Sequence, residues 1–260
     1  MLVSFVLPRR ALGAAVLAIA ALPALAAAQS AADHAAMGDR DHTAMNAPGA
    51  LHHYQEAMKL EPKSYEALWK AAREAIDVGE YASRAVRDSV YPLAEQYARR
   101  AVEANPNDAE GHFHLARALG RKALSLGKRD RVKFAGDVRT HALESLKYNA
   151  KHPGALHVMG MWNYNVMQLS GMARFMAKNF LGGRVFDTAN WDEAQRYMEQ
   201  SVAVDPGRIV HHLDLARVLA ARGNPAKARE HYEHTIRGAR TEYNDAHYQR
   251  EAAEELKGLK

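Results

Sequence analysis

The feature that most constrains this chain is a spacing of small residues that returns five times. Ala94, Ala98, Ala101 and Pro106 stand 4, 3 and 5 apart, and the same intervals separate Ala50, Tyr54, Ala57 and Pro62, and again Ala194, Met198, Ser201 and Pro206. Ala228, Tyr232 and Thr235 keep the first two intervals with Arg240 in place of proline, while Val138, Ala142, Ser145 and Ala150 form a degenerate copy. Steps of four and three return to one face of a helix, small side chains there let a second helix approach closely, and a proline one turn further stops the helix. After each stop an amphipathic stretch begins: SYEALWKAAREAI, AEGHFHLARALG, GALHVMGMWNY and IVHHLDLARVLAARG. Helical hairpins repeated in tandem bury their apolar faces on one another, so the expected class is all-α, a solenoid without sheet. Residues 50–258 should form about nine or ten antiparallel helices, with Ala98 and Ala194 buried at helix contacts.

The segments YARRAVEANPNDAEGHFHLARALG and YMEQSVAVDPGRIVHHLDLARVLAARGNPAKAREHYEHTI resemble the tetratricopeptide repeat, a helix-turn-helix unit. Equivalent positions at Pro62, Pro106, Ala150 and Pro206 are unevenly spaced, which places insertions between repeats, among them SGMARFMAKNFLGGRVFDTAN. That set of insertions, with ALGRKALSLGKR, ALHVMGMWNYNVMQLSG, KNFLGG and NWDEAQRYMEQSVAVDP, is similar to the regulator of microtubule dynamics family and its bacterial relatives over roughly residues 50–255. The resemblance implies a repeat domain over 49–260; a cytoskeletal role does not transfer with it, because this chain carries an export signal.

That signal is residues 1–28. Arg9-Arg10 precede the uncharged run Ala11–Ala28, and Ala26-Ala27-Ala28 before Gln29 fits a signal-peptidase site. An uncleaved membrane anchor is the alternative, since the run is about long enough to span; Pro23 and the weak apolarity of alanine favour cleavage. The expected location is periplasmic or secreted. Loss of Arg9 and Arg10 lowers the net charge from +5 to +3, too little for a nucleic-acid footprint. Cysteine is absent, which excludes disulfides, thiolate metal sites and a cysteine nucleophile.

Residues 29–48 have no aromatic and no branched aliphatic side chain, and read as a flexible tail. Within them Asp33-His34-Ala-Ala-Met37 recurs as Asp41-His42-Thr-Ala-Met45. Imidazole with thioether suits copper in an oxidising compartment, so His34, Met37, His42 and Met45 are candidate copper ligands, with a plain linker as the alternative. Such stretches are similar to the Met/His-rich segments of periplasmic copper-resistance proteins.

No catalytic motif is present. Gly120 to Gly127-Lys128 only mimics a phosphate loop, and the acid pairs Asp192-Glu193 and Glu254-Glu255 fit a helix start capped by Asn190 and an exposed helix face. His112 and His212 hold equivalent repeat positions and read as packing residues; His52-His53 read as exposed, and His231 and His234, which with His211-His212 could approach a metal geometry, read as a solvated face beside Tyr232. The chain is expected not to be an enzyme and to need no cofactor beyond copper on its tail.

What the tetratricopeptide resemblance does imply is a concave groove in which two positions of each first helix face inward. Here those are Trp69, Phe113, His157 and Leu213, and four residues on Arg73, Arg117, Met161 and Arg217. Arginine forks bind carboxylates and aromatic groups supply buried area. The expectation is a non-enzymatic scaffold that holds a protein or peptide partner, acidic in character, with membrane contact only through an uncleaved anchor. The alternative is a copper-handling accessory protein.

Overall fold

The computed structural model describes residues 29–126, 128–171 and 183–259, so the export segment and most of the insertion before Trp191 lie outside the described residues. Eleven α-helices are described, with no strand. They are α1 (Ala31–Thr43), α2 (Ala47–Leu60), α3 (Tyr65–Glu80), α4 (Arg84–Ala104), α5 (Ala109–Ser125), α6 (Lys128–Tyr148), α7 (Pro153–Met167), α8 (Trp191–Val204), α9 (Ile209–Ala221), α10 (Pro225–Arg237) and α11 (Asp245–Gly258), with a 3-10 turn at Gly183–Thr188 before α8. Each helix packs on the next, and α3, α5, α7, α9 and α11 also touch along an inner row. Hairpins with such an inner row are a tetratricopeptide-like solenoid.

The repeated small residues form the seams of the hairpins. Ala50, Ala94, Ala98, Ala101, Ala142, Ala194 and Ala228 are all fully buried. Two polar seam residues reach the facing helix, Ser201 Oγ to Pro153 O at 2.9 Å and Thr235 Oγ1 to Ile209 O at 3.3 Å, whereas Ser145 Oγ is buried with no partner among the described residues. Caps fix the helix starts. Asp108, Asn190 and Asn224 accept from the backbone N–H groups of Glu110, Glu193 and Lys227, and His152 Nδ1 accepts from Ala155 N at 3.1 Å.

Residues 29–48 are not a flexible tail. Ser30 and Asp33 form a reciprocal capping box that starts α1, and Gly38 lets α1 approach until a Cβ there would meet the Tyr54 ring at 2.6 Å. Tyr54 and Lys70 both bind Asp39, at 2.7 and 2.9 Å. The absent large side chains are supplied by α2 and α3, so α1 needs only small ones.

At the other end the chain curls back on its beginning. Asn244 Nδ2 donates to Asp77 O at 2.9 Å, and the Tyr81 ring stacks on His247 at 4.1 Å. The loop before α11 therefore closes one side of the concave face against the end of α3.

Candidate functional site

The inner helices and this closing loop enclose a cavity of about 730 Å³, within the range of sites that take small ligands or peptide side chains. The helical step of four places Trp69, Arg73 and Asp77 of α3 on it, then Phe113, Arg117 and Arg121 of α5. From α7 come His157 and Met161, with the neighbouring Trp162. Val138, Val166 and Phe186 make one end apolar, while Arg208, Asp214 and Glu242 gather at the other.

The cavity thus holds six of the eight residues the groove expectation named. The exceptions lie on α9. Leu213 is wholly buried in the C-terminal core, and Arg217 is drawn to α11, where it meets Glu251 at 2.8 Å and Glu255 at 2.5 Å. In their place α9 presents Val210, His211 and Asp214. Glu255, expected on an exposed face, is engaged by Arg217 and by the Tyr232 hydroxyl.

Nor do the arginines form a free row of cations. Arg73 pairs with Glu74 at 2.6 Å, and Arg117 with Asp77 at 2.5 Å. Arg121 pairs with Glu80 at 2.5 Å, and Arg208 with Glu242. Burying a guanidinium without a partner costs several kcal/mol, roughly 3–5 when a partner is removed, so each is met from within the fold. Burial works against the Arg117 charge, yet Asp77 and Glu80 hold its pKa above the ordinary value. Burial also opposes ionisation of Asp214, but the His157 hydrogen bond at 2.7 Å and the Arg217 charge keep its carboxyl well below the usual range. These partners, Asp77, Glu80, Asp214 and Glu242, were missed by sequence reasoning. Their signal was slight: Asp214 stands one turn before Arg217, but Arg117 and Arg121 have no acid within a turn on their own helix and draw their partners from α3.

The histidines sort into two kinds. His112 and His212 bridge their hairpins as equivalent packing residues, each ring Nε2 on a proline carbonyl (Pro106 at 3.0 Å, Pro206 at 3.1 Å) and each Nδ1 facing a second imidazole, His141 or His231. The cavity histidines are His114, His152, His157 and His211; Nδ1 of His114 and of His211 is buried without a partner.

The four candidate copper ligands do not converge. His34 and His42 are eight residues apart, about 12 Å along α1. His34 turns to His53 at 3.4 Å and His42 to Glu74 at 3.0 Å, while Met37 accepts from Gln29 and Met45 is exposed. His53, expected exposed, is held by that contact, whereas His52 stays open. Among the described residues no group of three or more histidine or acidic side chains could hold a metal ion.

The solenoid is similar to a thermophilic tetratricopeptide-repeat protein of Thermus thermophilus, with a TM-score of 0.60 and 16% identity, over 86% of this chain and 99% of that one. In sequence the chain is 26% identical over 203 residues to mouse regulator of microtubule dynamics protein 1, covering 76% of this chain and 66% of the relative. It is 26% identical to the bovine protein over 148 residues, 56% of this chain and 46% of the relative. It thus spans between about half and two thirds of these relatives' length. The family model described as Regulator of microtubule dynamics protein 1-3 matches residues 29–260, from the start of α1 through every helix that lines the cavity, and the chain belongs to that family.

Proposed function

We propose that the protein is an exported, non-enzymatic scaffold that holds a segment of a partner protein in the concave cavity. The observation that carries this reading is Gly120. It sits inside α5 on the cavity wall, and no described atom lies within 4 Å of where its Cβ would be. A glycine within a helix costs roughly 0.5–1 kcal/mol relative to alanine, and packing does not call for it here. Room for a ligand does. Trp69, Phe113, Met161 and Trp162 offer that ligand broad apolar contact, the residue types that dominate recognition sites.

Because the cavity arginines already have carboxylates, an acidic segment would have to compete with Asp77, Glu74 and Glu242 for them. The reading therefore keeps the protein partner and gives up its acidity. Export rests on the pattern around Arg9-Arg10 and Ala26-Ala27-Ala28; an intact mass beginning at Gln29 supports it, and retention of residues 1–28 would move the chain to a membrane anchor. What the microtubule regulators share with this chain is the repeat domain, and an exported copy needs a different partner.

Gly120→Leu tests the cavity. It fills open space and should raise helix stability, so lost binding cannot be ascribed to unfolding. Peptides selected from a random dodecamer library by the wild-type protein should bind the variant at least a hundredfold more weakly. Undiminished binding would place recognition outside the cavity.

A further inference from the structure

We propose that Glu110 anchors a basic side chain, lysine or arginine, of the segment held in the cavity. The proposal rests on the peptide-binding reading above and adds the chemistry of the ligand. Of the cavity carboxylates, Asp205 makes no ion pair among the described residues, whereas Asp77, Asp214 and Glu242 each face an arginine or an arginine with a histidine. Glu110 does not. Its two oxygens face imidazoles only, His152 Nε2 at 3.3 Å and His114 Nε2 at 3.5 Å, and among the described residues no lysine or arginine pairs with it.

Each imidazole turns Nε2 to Glu110. His152 caps α7 by accepting the Ala155 N–H at Nδ1, which requires a lone pair there and leaves its single proton on Nε2, towards Glu110. His114 is 2% exposed and its Nδ1 has no partner, so an imidazolium would bury an N–H with nothing to accept it. Burial accordingly pushes His114 down to about 4, against the pull of Glu110. Burial works against the Glu110 charge as well, but the two imidazole hydrogen bonds hold its carboxyl well below the usual range. Its place in the first turn of α5 favours the anion further. Glu110 thus stands in the cavity wall as a partly exposed carboxylate, its side chain 39% accessible, with imidazoles but no lysine or arginine against it among the described residues.

The surroundings suit a cation on an apolar stem. Phe113 lies 4.6 Å from the His114 ring and 4.5 Å from His152, and Trp69 stacks on His114 at 5.3 Å, so the two imidazoles that face the carboxylate are themselves set among aromatic rings. Lysine and arginine lay their methylenes on such surfaces and carry the charge at the tip.

The test uses the mature full chain and the random dodecamer library. Selected peptides should carry a lysine or arginine at one shared position. Replacing it by norleucine should weaken binding to the wild type about tenfold, and binding to Glu110→Gln less than twofold. Glu110→Gln keeps an acceptor for one imidazole and leaves no lysine or arginine unpaired, so the variant should stay folded, with thermal unfolding close to the wild type. If peptides are selected, lose binding to Gly120→Leu, yet show no shared basic position or bind Glu110→Gln unchanged, the anchor is overturned and the cavity reading stands. Peptides that bind Gly120→Leu as well as the wild type overturn the cavity reading itself.

Discussion

The two ends of the Glu110–Asp77 wall differ in what they do with charge. Around Asp77, ions are met by opposite ions, two of them from another rung of the solenoid: Arg117 of α5 on Asp77 of α3, and Arg208 before α9 on Glu242 before α11. Around Glu110 the same cavity offers only neutral rings. The first arrangement ties together segments far apart in sequence and belongs to the fold. The second ties Glu110 of α5 only to its own helix and to the His152 cap of α7, and leaves the charge available to a ligand. Buried charge is therefore read by its partners, not by its presence.

The comparison can be broken most severely at Asp77. Asp77→Ala strands Arg117, which is buried beside Glu80, and should cost about 3–5 kcal/mol in urea unfolding. A loss below 1 kcal/mol would show the ion pairs to be dispensable.

Acid sharpens the comparison next. Burial lowers the pKa values of His114, His141, His211, His212 and His231, with His114 and His212 near 4. Depressed imidazoles bind protons more readily in the unfolded chain, so stability falls as pH drops below about 6.5 and continues to fall towards 4. Glu242, raised by burial, opposes this in part. The carboxylates Asp77, Asp214 and Glu110 are lowered and lose their contribution only at more acid pH. Unfolding followed from pH 7.5 to 4.5 should show a decline on the order of a few kcal/mol; a flat profile would contradict the buried neutral rings.

Gly120→Ala should add about 0.5–1 kcal/mol, since α5 gains a better helix former and meets no obstacle. Destabilisation would mean that this wall is packed. Smallest of all, Glu110→Gln should shift unfolding by less than about 0.5 kcal/mol, as no cation is left behind. A loss like that of Asp77→Ala would make Glu110 part of the same structural network.

Much of this was legible in the sequence, because seams and inner faces follow helical periodicity. Ala94, Ala98 and Ala101 declare their burial by spacing alone, while the inner-face places of Trp69, Arg73, Phe113 and Arg117 followed from the tetratricopeptide resemblance. Periodicity stops where the next contact is not the next repeat. Arg217 has its partners on α11, a closing helix with no counterpart in the repeat, so its inward position was overridden. Asn244 meets Asp77 across nearly the whole chain, which no local pattern encodes. The α1 segment was hidden for a different reason: its burial is provided by Tyr54 and Lys70 on its neighbours, not by apolar residues of its own.

The central claim is that partners enter the cavity. A photo-crosslinking amino acid placed at Met161, on the cavity wall, and in a second variant at Val204, exposed at the end of α8, tests it in the cell that makes the protein. The account predicts a protein adduct from position 161 that disappears when Gly120→Leu is added, and none from position 204. Equal adducts from both positions, or an adduct from 161 that survives Gly120→Leu, would contradict it.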